Sequence, residues 1–210
     1  MSRKWAQPFL RSGIVSVWCK VLGKTVTCSS IVGLHSELGR EDLRALVAAQ
    51  TNAAVDTVAL RMRVLGLPIG RYGHLNSMDA AFRLLLRFVV AEGLALVLVN
   101  STRPHLSVRG KAWEKVFKAA LAQHWALYSV RFGTLASIPL SSSVNGEIYA
   151  LVLVDEAATS TEPATLHAVN IVDPEHGCLV LCGDHMQLPL VLNNPLPAAR
   201  GLGRSLFERL

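Results

Sequence analysis

The chain has 210 residues, of which 51% are hydrophobic and 17% charged. That is enough to bury the core of one large domain and excludes a disordered, collagen-like or low-complexity protein. The longest apolar stretch, 84–99, is broken by Arg87, Glu92 and Gly93, short of the ~18 uninterrupted residues that cross a bilayer, so a soluble protein with no membrane partner is expected. A net charge of +6 permits an anionic partner without identifying one.

No repeat or Pro/Gly/Ser-rich linker divides the chain. The start is basic, with Arg3, Lys4, Arg11, Lys20 and Lys24 all preceding the first acid, Glu37. It lacks the Ser-rich amphipathic run of a presequence, and 1–13 is read as an ill-defined segment. The apolar run at 13–18 reads as a strand, 25–38 as a helix and 44–49 as a strand. Residues 53–65 have helical apolar spacing and meet Gly66 and Pro68, both stop signals; 68–72 reads as a further short strand. Between 74 and 128 the pattern is helical, at 77–92 and 111–127, and reads as an insertion on a sheet core. From Arg103 to Arg131 it carries six Lys/Arg against Glu114, with Trp113, Phe117 and Trp125 interleaved. Such a stretch is either the solvated face of an amphipathic helix or a phosphate-tracking surface with aromatics for stacking. Two continuous apolar runs, 150–154 and 178–182, suit central parallel strands covered on both faces. The segment between them, 161–172, reads as a crossover helix with Thr159 and Glu162 as a capping box. Strand, helix, strand at this spacing makes a βαβ unit, and the class is α/β with a parallel sheet.

Cys19, Cys28, Cys178 and Cys182 form no Cys-x-x-Cys pair and have no matching His spacing, so no zinc site is expected, and Cys178 and Cys182, on one face of a strand, read as free buried thiols. Asp155 and Glu156 directly follow an apolar run, where parallel α/β sheets bind ligands. Two adjacent carboxylates suit one task each: Asp155 to hold Mg²⁺, Glu156 to orient or deprotonate a water. An ordinary Asp-Glu turn has the same letters. Gly-Asp-His-Met-Gln-Leu-Pro at 183–189 follows the next run: Gly183 for a tight turn, Asp184 to bond nearby backbone amides, and Gln187 as a neutral amide able to sense a terminal phosphate. His185 reads as a surface-loop histidine. Gly23-Lys24-Thr25 has the form of the second half of a phosphate-binding loop. Lys24 supplies charge, Thr25 a hydroxyl for the metal, and the following helix its N-terminal amides. The first half departs from the pattern. Trp18 stands where Gly is required, and Cys-Lys-Val-Leu at 19–22 replaces residues that must be small for amides to cradle phosphate. Shifted by two nucleotides, codons for Trp-Cys-Lys-Val can encode Val-Gln-Gly, which suits this strand end and points to a frameshift, a misplaced exon or a decaying gene copy.

Taken in order, Gly-Lys-Thr-Val-Thr at 23–27, Ala-Ala-Gln-Thr-Asn-Ala-Ala-Val-Asp at 48–56, Val-Asp-Glu-Ala-Ala at 154–158 with Glu162-Pro163, the run at 183–189 and Gly-Leu-Gly-Arg-Ser-Leu-Phe-Glu-Arg-Leu at 201–210 resemble the motifs of superfamily 1 helicases. The resemblance is closest to the group that includes the nonsense-mediated-decay RNA helicase, and it covers 14–210. It implies a RecA-like P-loop domain that takes ATP and Mg²⁺. In that picture Gly23, Lys24, Thr25 and Gln187 bind nucleotide and Thr25 and Asp155 hold the metal. Glu156 and Gln187 act in catalysis, while Thr51, Asn52 and Thr134 meet a nucleic-acid backbone. The implied partners are single-stranded RNA or DNA and a second RecA-like lobe, and the implied location is cytoplasmic or nuclear. The chain stops just after the last of these motifs, so the expectation is an incomplete first motor domain with a helical insertion at 74–128. Its expected function is ATP binding and hydrolysis coupled to single-strand binding. The alternative is a non-catalytic nucleic-acid-binding or interaction remnant without a working phosphate loop or second lobe. A small metabolite-binding α/β domain would leave the residues at 48–56 and 201–210 unexplained.

Overall fold

Leu-Val-Leu-Val at 151–154 and Leu-Val-Leu-Cys at 179–182 carry no polar alternation, and strands of that kind must be covered on both faces. The computed structural model describes residues 14–18, 23–37, 44–67, 69–71, 128–138, 147–184, 186–187, 190–192 and 194–210. Within them β1 (Ile14–Trp18), β2 (Ala45–Ala49), β3 (Ile69–Arg71), β4 (Val130–Thr134), β5 (Leu151–Asp155) and β6 (Cys178–Gly183) form one sheet ordered β1-β6-β5-β2-β4-β3, and every pair is parallel. The α/β class expected from the apolar runs is therefore the class observed.

Alternate residues of β2, β5 and β6 divide between two cores, as the period of two requires. On one face Ala45, Val47, Phe132, Leu153 and Val180 pack against Cys28 and Val32 of α1 (Lys24–Glu37) and Val55, Val58 and Met62 of α2 (Asn52–Val64). On the other, Leu46, Ala48, Val152, Val154 and Leu181 meet Ala168 of α3 (Glu162–Val169) and Leu206 and Phe207 of α4 (Leu206–Arg209). The strand ends that carry polar residues then share one edge of a three-layer sandwich.

The crossover helix is shorter than its expected span. A 3₁₀ turn at Ala157–Thr159 engages Thr159, whose hydroxyl donates to the Glu156 carbonyl at 2.9 Å. Thr161, not Thr159, caps α3, accepting from the Ala164 N–H at 3.4 Å, and the Glu162 carboxylate accepts from Arg209 at 2.6 Å instead of closing a capping box. Beyond Val169 the Ile171 carbonyl accepts the Tyr149 N–H at 2.8 Å, which draws the chain into an extended bridge and ends the helix.

Arg131, counted above within the basic stretch, is not a surface residue. It lies fully buried in β4, where its guanidinium donates to the Glu147 carboxylate and, at 3.2 Å, to the Tyr149 hydroxyl; Arg44 donates to the same carboxylate at 3.0 Å. Residues 103–127 of that stretch, with Lys111, Lys115, Lys118, Trp113, Phe117 and Trp125, fall outside the described residues, as do Cys19, His185 and nearly all of the expected insertion at 74–128. Cys178 and Cys182 do share one face of β6 and are free; Cys182 is buried, whereas Cys178 is half-buried and its thiol is pushed up by that burial. No helix among the described residues is long and apolar enough to cross a membrane.

Candidate functional site

The phosphate-loop half-motif lies where the chain passes from the sheet into α1. Gly23 has φ 128°, a conformation that L side chains rarely adopt, and its carbonyl accepts the first helical bond, from the Thr27 N–H at 2.8 Å. This sets Lys24 and Thr25 in the first turn of α1. The Lys24 Nζ donates to Glu156 Oε1 at 3.2 Å and to Gln187 Oε1 at 3.3 Å, joining residues 132 and 163 positions away. Thr25 is half-buried, and its hydroxyl makes no hydrogen bond among the described residues.

Asp155 closes β5 and is 5% exposed. Its Oδ1 accepts the Glu156 N–H at 3.0 Å and faces the Cys28 thiol at 4.0 Å. Burial holds this carboxyl above the usual range; the bond from the Glu156 N–H works against that, the Glu156 charge adds to it and the Lys24 charge opposes it. Glu156 has φ 53° and ψ 36°, the sole non-glycine in the left-handed region among the described residues. Backbone strain of this sort is commonly stored at functional sites. The reversal lets β5 pass at once into the 3₁₀ turn while the Glu156 side chain reaches Lys24.

Gly183 ends β6, but its role is not the tight turn anticipated for it. A Cβ there would stand 2.8 Å from the Ala158 backbone nitrogen and 3.2 Å from the Ala158 Cβ. Glycine lets the end of β6 press against the turn that follows Asp155 and Glu156. Asp184 then accepts the Met186 N–H at 2.9 Å, which folds the loop back toward Gln187.

At the other end of the same edge lie the remaining sequence candidates. Ala49 pairs with Asp155 on one side and with Thr134 on the other. Thr51 caps α2, its hydroxyl accepting the Ala54 N–H at 3.2 Å, and is exposed. Thr134 is 8% exposed, and its hydroxyl is engaged in a local turn through the Ser137 N–H at 3.2 Å. Asn52 Oδ1 accepts from Arg71 at 2.8 Å, and the same guanidinium donates to Asp56 Oδ1 at 2.8 Å. The structure thus gathers Lys24, Asp155, Glu156 and Gln187 at one end of the edge and Thr51, Asn52 and Thr134 at the other.

Sequence reading missed the Arg71–Asp56–Asn52 group. A signal existed: an arginine in the buried strand Ile-Gly-Arg needs a partner, and Asp56 follows Asn52 by one helical turn.

A family profile described as an AAA domain matches residues 110–194. The chain is 30% identical over 197 residues to the ATP-dependent helicase NAM7 of Saccharomyces cerevisiae, covering 90% of this chain and 20% of that protein. It is 27% identical over 191 residues to the RNA helicase Mov10l1 of Mus musculus, covering 90% and 14%, and 27% identical over 202 residues to the ATP-dependent helicase upf1 of Schizosaccharomyces pombe, covering 90% and 21%. The chain therefore spans about a fifth or less of these relatives' length. With its motifs in helicase order, a parallel sheet whose carboxyl edge gathers them, and these relatives aligned along nearly its whole length, the chain belongs to the Upf-like group of superfamily 1 helicases, as a RecA-like P-loop domain.

Proposed function

We propose that this chain binds ATP with Mg²⁺ at the carboxyl edge formed by β1, β5 and β6, and that hydrolysis there is coupled to single-stranded nucleic acid held at the edge of β2 and β4. The observation that carries this reading is the convergence of Lys24, Glu156 and Gln187 through the lysine ammonium, which lies within 3.3 Å of both partners' oxygens, with the Asp155 carboxylate at their base.

The chemistry follows from each group. An ammonium bound to a carboxylate and an amide can exchange those partners for phosphate oxygens, and the Glu156 side chain, 39% exposed, is then released toward solvent. Glu156 so freed holds or accepts a proton from a water, and Gln187 donates its amide hydrogens to a terminal phosphate. The donor set fits Mg²⁺. Asp155 is a buried carboxylate whose charge is incompletely compensated, Thr25 offers a hydroxyl unengaged among the described residues, and Mg²⁺ takes one or two such oxygens with phosphates completing its shell. Held there by Asp155 and Thr25, the ion would neutralise negative charge on the nucleotide's phosphates. Arginines from a second RecA-like lobe complete the site in this reading; a P-loop ATPase without them loses about 10³–10⁵ in rate.

Nucleotide-dependent stabilisation tests it. Saturating ATP with Mg²⁺ at a hundred times Kd raises stability by about 2.7 kcal/mol, and Lys24→Ala abolishes that rise. Without nucleotide the same substitution changes stability by no more than about 1 kcal/mol, since the Lys24–Glu156 pair is partly exposed. A wild-type chain that ATP does not stabilise ends the proposal. The bulky residues at 18–22 favour a second reading, a nucleic-acid-binding module without catalysis. It predicts salt-dependent attachment to single strands with no nucleotide effect.

A further inference from the structure

Arg71 projects from the last position of β3 and is 3% exposed; its partner Asp56 is 5% exposed. The two form a buried ion pair, Nε to Oδ1 at 2.8 Å, so the guanidinium charge is neutralised inside the fold. A second arm of the same fork reaches Asn52 Oδ1 at 2.8 Å. Arginine has donors and no acceptor, so the Asn52 atom facing it must be the carbonyl oxygen. The amide nitrogen therefore turns away, and its two hydrogens have no partner among the described residues. Asn52 is half-buried at the start of α2, beside exposed Thr51.

We infer that Arg71 is a positioning residue which locks the Asn52 side chain in one of its two orientations, making it a donor for the phosphodiester oxygens of a single strand. The inference rests on the reading of Thr51 and Asn52 as nucleic-acid contacts and adds which chemical face they present. Phosphate oxygens accept and never donate, so the locked amide suits the backbone of the strand and is indifferent to base sequence. Arg71 itself, buried and paired, does not touch the strand.

The test uses the 210-residue chain and fluorescence anisotropy with a labelled oligouridylate of about 15 nucleotides, within the span of one single-strand site, and its oligothymidylate counterpart. Asn52→Ala removes the donors and weakens binding by about ten-fold, the scale of one hydrogen bond to a charged acceptor. Asn52→Asp replaces donors by a carboxylate that pairs with Arg71 as well as the amide oxygen did. It keeps the thermal stability of the wild type or exceeds it, yet binds more weakly than Asn52→Ala. Arg71→Lys retains the charge Asp56 needs but not the planar fork; it weakens binding in the wild-type background and adds nothing in the Asn52→Ala background. Binding by Asn52→Asp equal to or tighter than that of Asn52→Ala overturns the inference, as does an Arg71→Lys effect of equal size in both backgrounds. Should Asn52→Ala bind like the wild type, or the wild type not bind either oligonucleotide, the nucleic-acid reading itself falls and the inference with it. Asn52→Asp decides the matter even where Arg71→Lys fails to fold.

Discussion

Replacing Asp155 by Asn separates what this carboxylate does for the fold from what it does for function. The residue is 5% exposed, and burial dominates the forces on its carboxyl group, holding it in the protonated form to higher pH than usual. In the ligand-free protein at neutral pH its charge is therefore a liability. Asn keeps the shape and keeps an oxygen for the Glu156 N–H now bonded at 3.0 Å. The exchange weakens that bond by roughly 1 kcal/mol, because a charged acceptor becomes neutral. It also forfeits attraction to Lys24 and removes repulsion from Glu156, and it cancels the burial penalty, which is the largest effect. A net gain of about 0.5–2 kcal/mol follows, within the range of single stabilising changes, or roughly 2–4 °C per kcal/mol for a chain of this size. The gain has a signed pH dependence. A carboxyl whose folded pKa is raised binds more protons folded than unfolded, so its ionisation lowers stability as pH climbs from the ordinary Asp value through the raised one. Wild type and variant converge at acid pH below that window, and the variant is ahead above it. Urea unfolding across pH, without nucleotide, measures the difference; the same variant loses Mg²⁺-dependent stabilisation by ATP. An Asp155→Asn variant less stable than wild type at neutral pH, or an advantage that does not change with pH, refutes the account of Asp155 as an incompletely compensated buried charge.

Two further substitutions probe the scaffold around the site. Gly183→Ala drives a Cβ to 2.8 Å from the Ala158 backbone nitrogen, and the resulting backbone shift costs about 1–3 kcal/mol; thermal melts read it, and an unchanged midpoint would show that the strand end is not tightly held against the turn. Asp56→Ala leaves the buried Arg71 charge without its carboxylate, a loss of about 3–5 kcal/mol, which the double change Asp56→Leu with Arg71→Met should largely restore. A single substitution costing under about 1 kcal/mol, the worth of an exposed pair, would mean that Arg71 is solvated in solution.

Sequence and structure diverge at particular residues, and the agreements have equally specific causes. Apolar runs at β5 and β6, rich in valine, about five residues long and each followed by an acidic turn, announce buried parallel strands, and the ordered motifs announce the family. Lys24, Asp155, Glu156 and Gln187 could each be named in advance, since their residue types follow strand ends and a glycine that begins a helix. Their meeting could not be measured from letters. It depends on the strand order that puts β6 between β1 and β5, and periodicity carries no information about which strands become neighbours.

The same limit explains the misread positions. Thr159 and Thr161 both look like helix caps, and the choice between them was made by the left-handed turn at Glu156, which commits Thr159 first. Arg131 and Arg71 count as surface charge in any composition, yet tertiary packing brings Glu147 and Asp56 to them and so makes burial tolerable. Sequence alone determined the α/β class, the kinship with helicases and the chemical types available at the sheet's edge. The tertiary structure decided which charges are buried, which threonine caps which helix and which way the Asn52 amide faces, because those outcomes depend on contacts between residues far apart in the chain.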